Sequence, residues 1–247
     1  MNTTTVTAAS GLRARMQELD MLANNLANTG TGGFKLDREF YTLFSAADNG
    51  VEGETSQTTM PMIRKQWTDF SQGTLQQTGN PLDLALSGQG FFTVSSPTGP
   101  LYTRNGSFKI SGDGVLTTID GHPVTDPDGQ PIQIPGQGPI TVASDGSLTQ
   151  DGQAIGQLNI VDFKDRTTLG KLGNSYFVSN KDNLPFPTTD ATVQQGNVEG
   201  SNVAPAESAV RLVGVMRQFE MLQKAISLTT DMDKKSLDEV ARPVTGA

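Results

Sequence analysis

The sequence predicts an α+β protein in which a helix at each end of the chain brackets a strand-rich, all-β insert. Two observations predict the helices. Near the start, Ala9, Leu12, Met16, Leu19, Ala23 and Leu26 recur at alternating steps of three and four, the spacing of a coiled-coil seam. Near the end, Leu212, Met216, Phe219, Leu222, Ile226 and Thr229 form a similar stripe. A third observation predicts the insert: short apolar runs in the middle of the chain are punctuated by Asp-Gly pairs, a favoured hairpin turn.

The first helix is expected over residues 5–28, with Thr5 or Thr7 as its N-cap. Gly30, Gly32 and Gly33 end it, because glycine strips away helix propensity. Residues 34–44 carry Phe34, Leu36, Phe40, Tyr41, Leu43 and Phe44, an aromatic cluster suited to anchoring the chain on a core. Residues 46–59 are small and polar and read as a mobile loop. From Met62 onward the signal is short strands. Leu82, Leu84 and Leu86 alternate with Asp83, Ala85 and Ser87, and further candidates lie at 91–94, 101–103, 107–110, 115–119, 132–134, 140–142, 154–163 and 176–178. Phe108-Lys109-Ile110, a Ser-Gly-Asp-Gly turn and Val115-Leu116 form the clearest hairpin. Residues 180–197, with Pro185 and Pro187, read as an irregular connector. The second helix is expected over 203–237, capped by Ser201 or Asn202, with Pro205 tolerated in its first turn. The expected organisation is therefore a helical part built from 1–33 and 198–240, an extended linker at 34–60, a β domain at 61–197 and a frayed tail at 241–247.

Composition narrows the function. The 247 residues are 35% apolar with a formal net charge of −8. Such an acidic chain repels phosphate backbones and anionic lipid, which argues against nucleic acid and membrane surfaces as partners. No apolar run is long enough to span a bilayer, and the polar residues 1–10 lack the basic-then-apolar pattern of a secretory signal. Glycine and proline together make up about 16% of the chain against an average of roughly 12%, a surplus that signals turns. Cysteine is absent, so thiolate metal sites, disulfides and cysteine nucleophiles are excluded.

The motifs that resemble chemistry read better as turns. The single histidine, His122, follows an Asp-Gly turn, and no G-x-S-x-G elbow exists to supply a serine nucleophile. Ser87-Gly88-Gln89-Gly90 has the glycines of a dinucleotide loop, but Phe91-Phe92-Thr93-Val94 continues as a strand, whereas that fingerprint needs a helix N-terminus. Asp126-Pro127-Asp128-Gly129 opens like a calcium loop and lacks its remaining ligands. No catalytic residue, cofactor, metal or small-molecule substrate is expected. The helical stripes remain. An isolated short helix is marginal in water, so each stripe needs a partner. Spacing leaves open whether that partner is the other helix alone or neighbouring subunits. In the seam's register Asn24, Asn25 and Asn28 fall outside it, where lateral pairing with neighbours and simple solvation are equally allowed.

At this point the residues carry a resemblance. Leu22-Ala23-Asn24-Asn25-Leu26-Ala27-Asn28 with Gly33-Phe34-Lys35 resembles the N-terminal signature of bacterial flagellar rod and hook proteins. Asp69-Phe70-Ser71-Gln72-Gly73, Thr78-Gly79-Asn80-Pro81-Leu82-Asp83, Gly88-Gln89-Gly90-Phe91-Phe92 and Tyr102-Thr103-Arg104-Asn105-Gly106-Ser107-Phe108 are similar to the family's middle motifs. Glu199-Gly200-Ser201-Asn202-Val203 resembles the segment before its C-terminal helix. The motifs follow the family's order over nearly the whole chain, and Arg217-Gln218-Phe219-Glu220-Met221 is more similar to the proximal than to the distal rod members. Gly30 and Gly32 depart from the family's usual Asn and Thr, which implies a looser turn after the first helix.

The resemblance implies a structural subunit of the flagellar basal-body rod, not an enzyme. It implies export without a cleaved signal through the flagellar type III channel and polymerisation, with itself and other rod subunits, into a hollow axial shaft across the periplasm. The assembly residues would be Ala9, Leu12, Met16, Leu19, Ala23, Leu26, Leu212, Met216, Phe219, Leu222 and Ile226. The terminal segments would order as they dock. The alternative reading from the residues is a secreted β-domain binding module whose helices make a small closed oligomer.

Overall fold

A computed structural model describes residues 3–46, 58–136, 138–173, 175–188 and 190–240. The chain divides into two units. The first gathers helix α1 (Thr3–Ala27), strands β1 (Asp37–Ala46) and β2 (Thr58–Thr68), and helix α2 (Pro205–Val240). The second holds the remaining strands together with the turn after α1. The expected loop at 46–59 lies largely outside the described residues, as does the tail at 241–247.

In the first unit, α1 starts at Thr3, so Thr5 and Thr7 lie inside the helix and do not cap it. Helix α2 starts at Pro205, whose missing N–H costs nothing in a first turn, and Glu207 sets a negative charge near the positive end of the helix dipole. Ser201 and Asn202 stand before that start, and Asn202 uses its side-chain carbonyl elsewhere, accepting a hydrogen bond from the Leu36 N–H at 2.8 Å. The two helices meet through Met21 and Leu22 of α1 and Val215 of α2, all buried, with Leu19 and Leu212 packed alongside. Strands β1 and β2 pair as a two-stranded ribbon.

The second unit contains β3 (Leu75–Gln77), β4 (Leu84–Ser87), β5 (Phe91–Ser96), β6 (Gly99–Thr103), β7 (Phe108–Ile110), β8 (Leu116–Thr118), β9 (Ile140–Val142), β10 (Ser147–Gln150), β11 (Gln153–Gln157), β12 (Ile160–Phe163), β13 (Gly170–Leu172), β14 (Tyr176–Val178), β15 (Pro185–Pro187), β16 (Thr192–Gln195) and β17 (Asn197–Glu199). Its centre is a six-stranded sheet in the order β13-β14-β6-β5-β12-β15, antiparallel at every pairing described. Successive residues of a strand face opposite ways, and here both faces are covered. Phe91, Tyr102, Val161, Phe163 and Phe177 form one core, and Phe92, Val94 and Leu101 belong to the other with Leu84, Leu86, Phe108 and Leu116. That is why Phe91 and Phe92 are adjacent and both buried. The same crowding buries Ala85 along with Leu84 and Leu86, so the alternation expected at 82–86 is not an inside–outside pattern.

The turns differ from expectation in kind. Only Asp151-Gly152, joining β10 to β11, has positive φ at both residues, 51° and 81°. At the other four Asp-Gly pairs only the glycine adopts positive φ. At Asp145-Gly146 the aspartate side chain helps instead, its Oδ1 accepting from the Ser147 N–H at 3.0 Å, and Asp126, two residues before Asp128-Gly129, does the same for that turn by accepting from the N–H groups of Asp128 and Gln130. The expected connector at 180–197 contains two strands and the first residue of a third. Strand β15 pairs with β12 at the sheet edge, where prolines lacking N–H are tolerated, while β16 pairs with β4 and β17 with β3. Conversely, residues 132–134 make only one isolated bridge, from Gln133 to Val115.

Gly106 is where the second unit tolerates least. A Cβ there would lie 1.6 Å from the Leu84 carbonyl oxygen and 3.1 Å from the Phe92 ring. Gly106→Ala is expected to destabilise the folded chain by at least about 1–3 kcal/mol, the usual cost of overpacking. Gly112→Ala, with open space around the added methyl, should leave the urea midpoint almost unchanged. Equal midpoints for the two variants would contradict this packing.

Candidate assembly interface and its anchor

Each helix of the first unit has an inner and an outer face. On α1, Ala14, Glu18, Met21, Leu22 and Asn25 are buried. The predicted seam lies on a different side of the helix. Its Ala9, Met16 and Ala23, spaced seven apart, are exposed, Met16 to 53%, whereas Leu12, Leu19 and Leu26 are half-buried. On α2, Leu212, Phe219, Leu222 and Ile226 are half-buried. Val215 is fully buried between them, and Met216, the residue expected there, is 46% exposed. Spacing could not separate these two, because steps of three and four fit a helix equally well and both residues are apolar. The opposite side of α2 presents Val210, Val213, Met221, Leu228 and Met232, all exposed, a second stripe that the sequence reading missed.

Polar groups fix the unit's inner side. Arg211 of α2 donates to Glu18 of α1 at 3.2 Å and to Glu39 of β1 at 3.3 Å, and Arg15 donates to the other Glu18 oxygen at 2.5 Å. Asn25, expected to point outward, is buried and meets the backbone of Asp37 from both sides. Its Nδ2 donates to the Asp37 carbonyl at 2.8 Å and its Oδ1 accepts from the Asp37 N–H at 3.0 Å. Its amide thus imitates a neighbouring strand at the start of β1. Asn28 is buried too, accepting from the Thr31 hydroxyl at 3.1 Å, while Asn24 is exposed.

The second unit contains the more unusual group, an ionic cluster with no exposed side chain at its centre. Glu199 accepts from Lys35 Nζ at 2.5 Å, from the Gly73 N–H at 2.9 Å and from Arg104 Nη1 at 3.3 Å. Lys35 Nζ also donates to the Ser71 carbonyl at 2.7 Å, and Arg104 Nη2 to the Gly88 carbonyl at 2.8 Å. The Arg104 guanidinium lies 5.4 Å from the centre of the Phe91 ring. Burial pulls the pKa values of both cations below their ordinary ranges, and the attraction of Glu199 offsets only part of that pull. Gly33 must be glycine: its φ is +68°, and a Cβ would lie 2.3 Å from the Asn105 nitrogen. The turn expected to be loose is therefore bonded down, with Thr31 N–H to the Asn28 carbonyl at 3.2 Å and Gly33 N–H to the Glu199 carbonyl at 2.7 Å.

His122 packs edge-on against Tyr176 at 5.3 Å, and its N–H is held by the Thr118 hydroxyl. Gly88 and Gly90 lead into β5, a strand. Among the described residues no group of His, Asp and Glu is arranged to hold a metal ion, and no helix is long and apolar enough to cross a membrane.

Three segments of the chain match protein-family descriptions. Residues 6–35 match "Flagella basal body rod protein", residues 85–153 match "Flagellar hook protein FlgE/F/G D1 domain", and residues 194–239 match "Flagellar basal body rod FlgEFG protein C-terminal". Lys35, Arg104 and Glu199 fall one in each. The chain is 33% identical to the flagellar basal-body rod protein FlgF of Caulobacter vibrioides, over 92% of this chain and 93% of that protein. It is 32% identical to the rod protein FlgG of Buchnera aphidicola subsp. Schizaphis graminum, over 92% and 95%. It is 35% identical to FlgF of Mesorhizobium japonicum, over 86% and 87%.

Removing one partner from a buried ion cluster strands the others. Glu199→Ala should therefore cost about 3–5 kcal/mol, far more than a surface change such as Glu207→Ala. Urea denaturation of both variants checks this, and similar midpoints would rule out the cluster as a stability centre.

Proposed function

This chain belongs to the family of flagellar basal-body rod and hook proteins, and from that premise we propose that its terminal helices build the rod through the faces they leave uncovered. It is a structural subunit of the flagellar basal-body rod, and the flagellar basal body is where it resides. The alternative of a small binding module has no observation in its favour.

The observation that carries the assembly reading is the exposed apolar surface of the helices. A helix with apolar stripes on opposite sides is stable in a single copy only where both are covered. Within one chain, α1 and α2 share three buried apolar side chains, Met21, Leu22 and Val215. Ala9, Met16 and Ala23 on α1, and Val210, Val213, Met221, Leu228 and Met232 on α2, are left facing outward. Neighbouring subunits presenting the same helices supply the missing cover. Leu12, Leu19, Leu26, Leu212, Met216, Phe219, Leu222 and Ile226 complete the interface. A closed tube of such helices would be the hollow shaft that transmits torque, with copies of this chain and other rod subunits as partners. The terminal segments would gain most of their order on docking, since so small an intrachain contact offsets little of the entropy of fixing two long helices. The similarity of 217–221 favours a proximal position in the rod, and export through the flagellar channel without signal cleavage is part of the same reading.

The inner and outer faces make separable predictions. Met16→Asp is expected to leave circular dichroism and thermal midpoint near wild type while abolishing incorporation into the rod and swimming. Leu19→Asp should lower both stability and swimming, because Leu19 packs on the Met21–Leu22–Val215 cluster. Normal swimming with Met16→Asp would remove the outer face of α1 from the interface.

A further inference from the structure

The Glu199 cluster joins two stretches of chain far apart in sequence, which bond to each other as well as to residues 69–74 and Arg104 of the same unit. Four consecutive residues of the first stretch each bond to the second. The Gly33 N–H donates to the Glu199 carbonyl at 2.7 Å, and the Phe34 carbonyl accepts from the Asn202 N–H at 3.3 Å. Lys35 Nζ donates to the Glu199 carboxylate, and the Leu36 N–H to Asn202 Oδ1 at 2.8 Å. Asn202 Nδ2 then reaches the Asp69 carbonyl at 2.8 Å and the Ser71 carbonyl at 3.2 Å. We infer that this cluster is a conditional lock: residues 33–36 and 199–202 close onto the second unit together, and neither closes alone.

Charge balance dictates the condition. Without Glu199, docking residues 33–36 would bury the Lys35 ammonium against carbonyl groups beside the buried Arg104 guanidinium, with no anion between two cations. Without Lys35, the carboxylate would keep Arg104 and the Gly73 N–H but lose its shortest contact. A buried charge stranded in this way costs far more than an open segment. The chain between the two stretches holds the third charge, Arg104, so closure reports that the beginning, middle and end of the chain are all in place. This goes beyond the assembly reading and does not depend on it, since the lock lies within one chain.

Acetylation of the soluble full-length protein by N-hydroxysuccinimidyl acetate, mapped by peptide mass, tests the lock. The reagent must reach the amine, and Lys35 is fully buried in the closed cluster, so slow reaction reports closure. In the wild type, Lys35 should react at least about a hundredfold more slowly than the exposed Lys164 and Lys181. In Glu199→Gln it should approach their rates while the β5 and β6 amides stay protected from hydrogen exchange, a split that a uniform loss of stability would not produce. Fast reaction of Lys35 in the wild type, or an unchanged slow rate in folded Glu199→Gln, overturns the proposal. If Glu199→Gln unfolds as a whole, Asn202→Ala decides, because it removes the stitches to Leu36, Asp69 and Ser71 without touching a charge. Lys35 must again react faster there, by at least about tenfold, and no change in that folded variant overturns the lock.

Discussion

One carboxylate shared by two cations, all three out of reach of water, is the constraint around which the second unit is arranged. Glu199 cannot be solvated where it sits, so its oxygens must be filled by Lys35, Arg104 and the Gly73 N–H. Each donor imposes a condition on its own stretch of chain. Gly33 must take a positive φ so that the turn after α1 can pass against Asn105. Gly73 must lack a side chain, because a Cβ would lie 2.1 Å from the Gly200 carbonyl oxygen. Arg104 follows directly on β6, beside the Phe91 ring that belongs to the sheet's core. Satisfying one buried charge thus fixes the path of four separate segments.

The first unit works on the opposite principle. Its inner side is specified by groups that accept little variation: the Asn25 amide matched to the Asp37 backbone, and Arg211 between Glu18 and Glu39. Its outer sides are apolar and unspecific, with methionines at Met16, Met216, Met221 and Met232. Methionine is the most adaptable of the apolar side chains. Such a surface tolerates more than one packing arrangement, whereas a surface of interlocking charges would admit one partner in one register.

Much of this was legible in the sequence, and the failures have specific physical causes. Strands β9 and β14 fall where expected, at 140–142 and 176–178, because each is a short β-branched or aromatic run between turn residues. Strands β15, β16 and β17 were hidden because their pairing partners lie far back in the chain and because Pro185 and Pro187 signal a break wherever a strand is not at an edge. The cap assigned to Asn202 failed because a tertiary acceptor role outcompeted a local one. Helical periodicity found the two helices, but it could not tell Val215 from Met216. The ionic cluster was invisible to any local reading, since Lys35 and Glu199 are 164 residues apart and Arg104 and Glu199 are 95 apart. A signal was nonetheless present: Gly33-Phe34-Lys35, Arg104-Asn105-Gly106 and Glu199-Gly200 each set a charge near a glycine, the pattern of a charge held where backbones approach closely.

A greasy plug would hold residues 33–36 to residues 199–202 as firmly, yet the segment there is ionic. Replacing buried ion clusters with well-packed apolar groups is often neutral or stabilising, so strength alone does not explain the choice. Position does. The six-stranded sheet is covered by apolar residues on both faces, and an apolar strap could slide across such surroundings with little penalty. The cluster forbids sliding. A one-residue shift of residues 33–36 would set Phe34 or Leu36 against Glu199, leave the carboxylate short of a donor and break the four successive bonds to residues 199–202. The chain enters the β unit after α1 and leaves it before α2, so these are the points where a slip in register would be carried into everything that follows. Buried charge supplies that register, and apolar side chains supply the adhesion elsewhere.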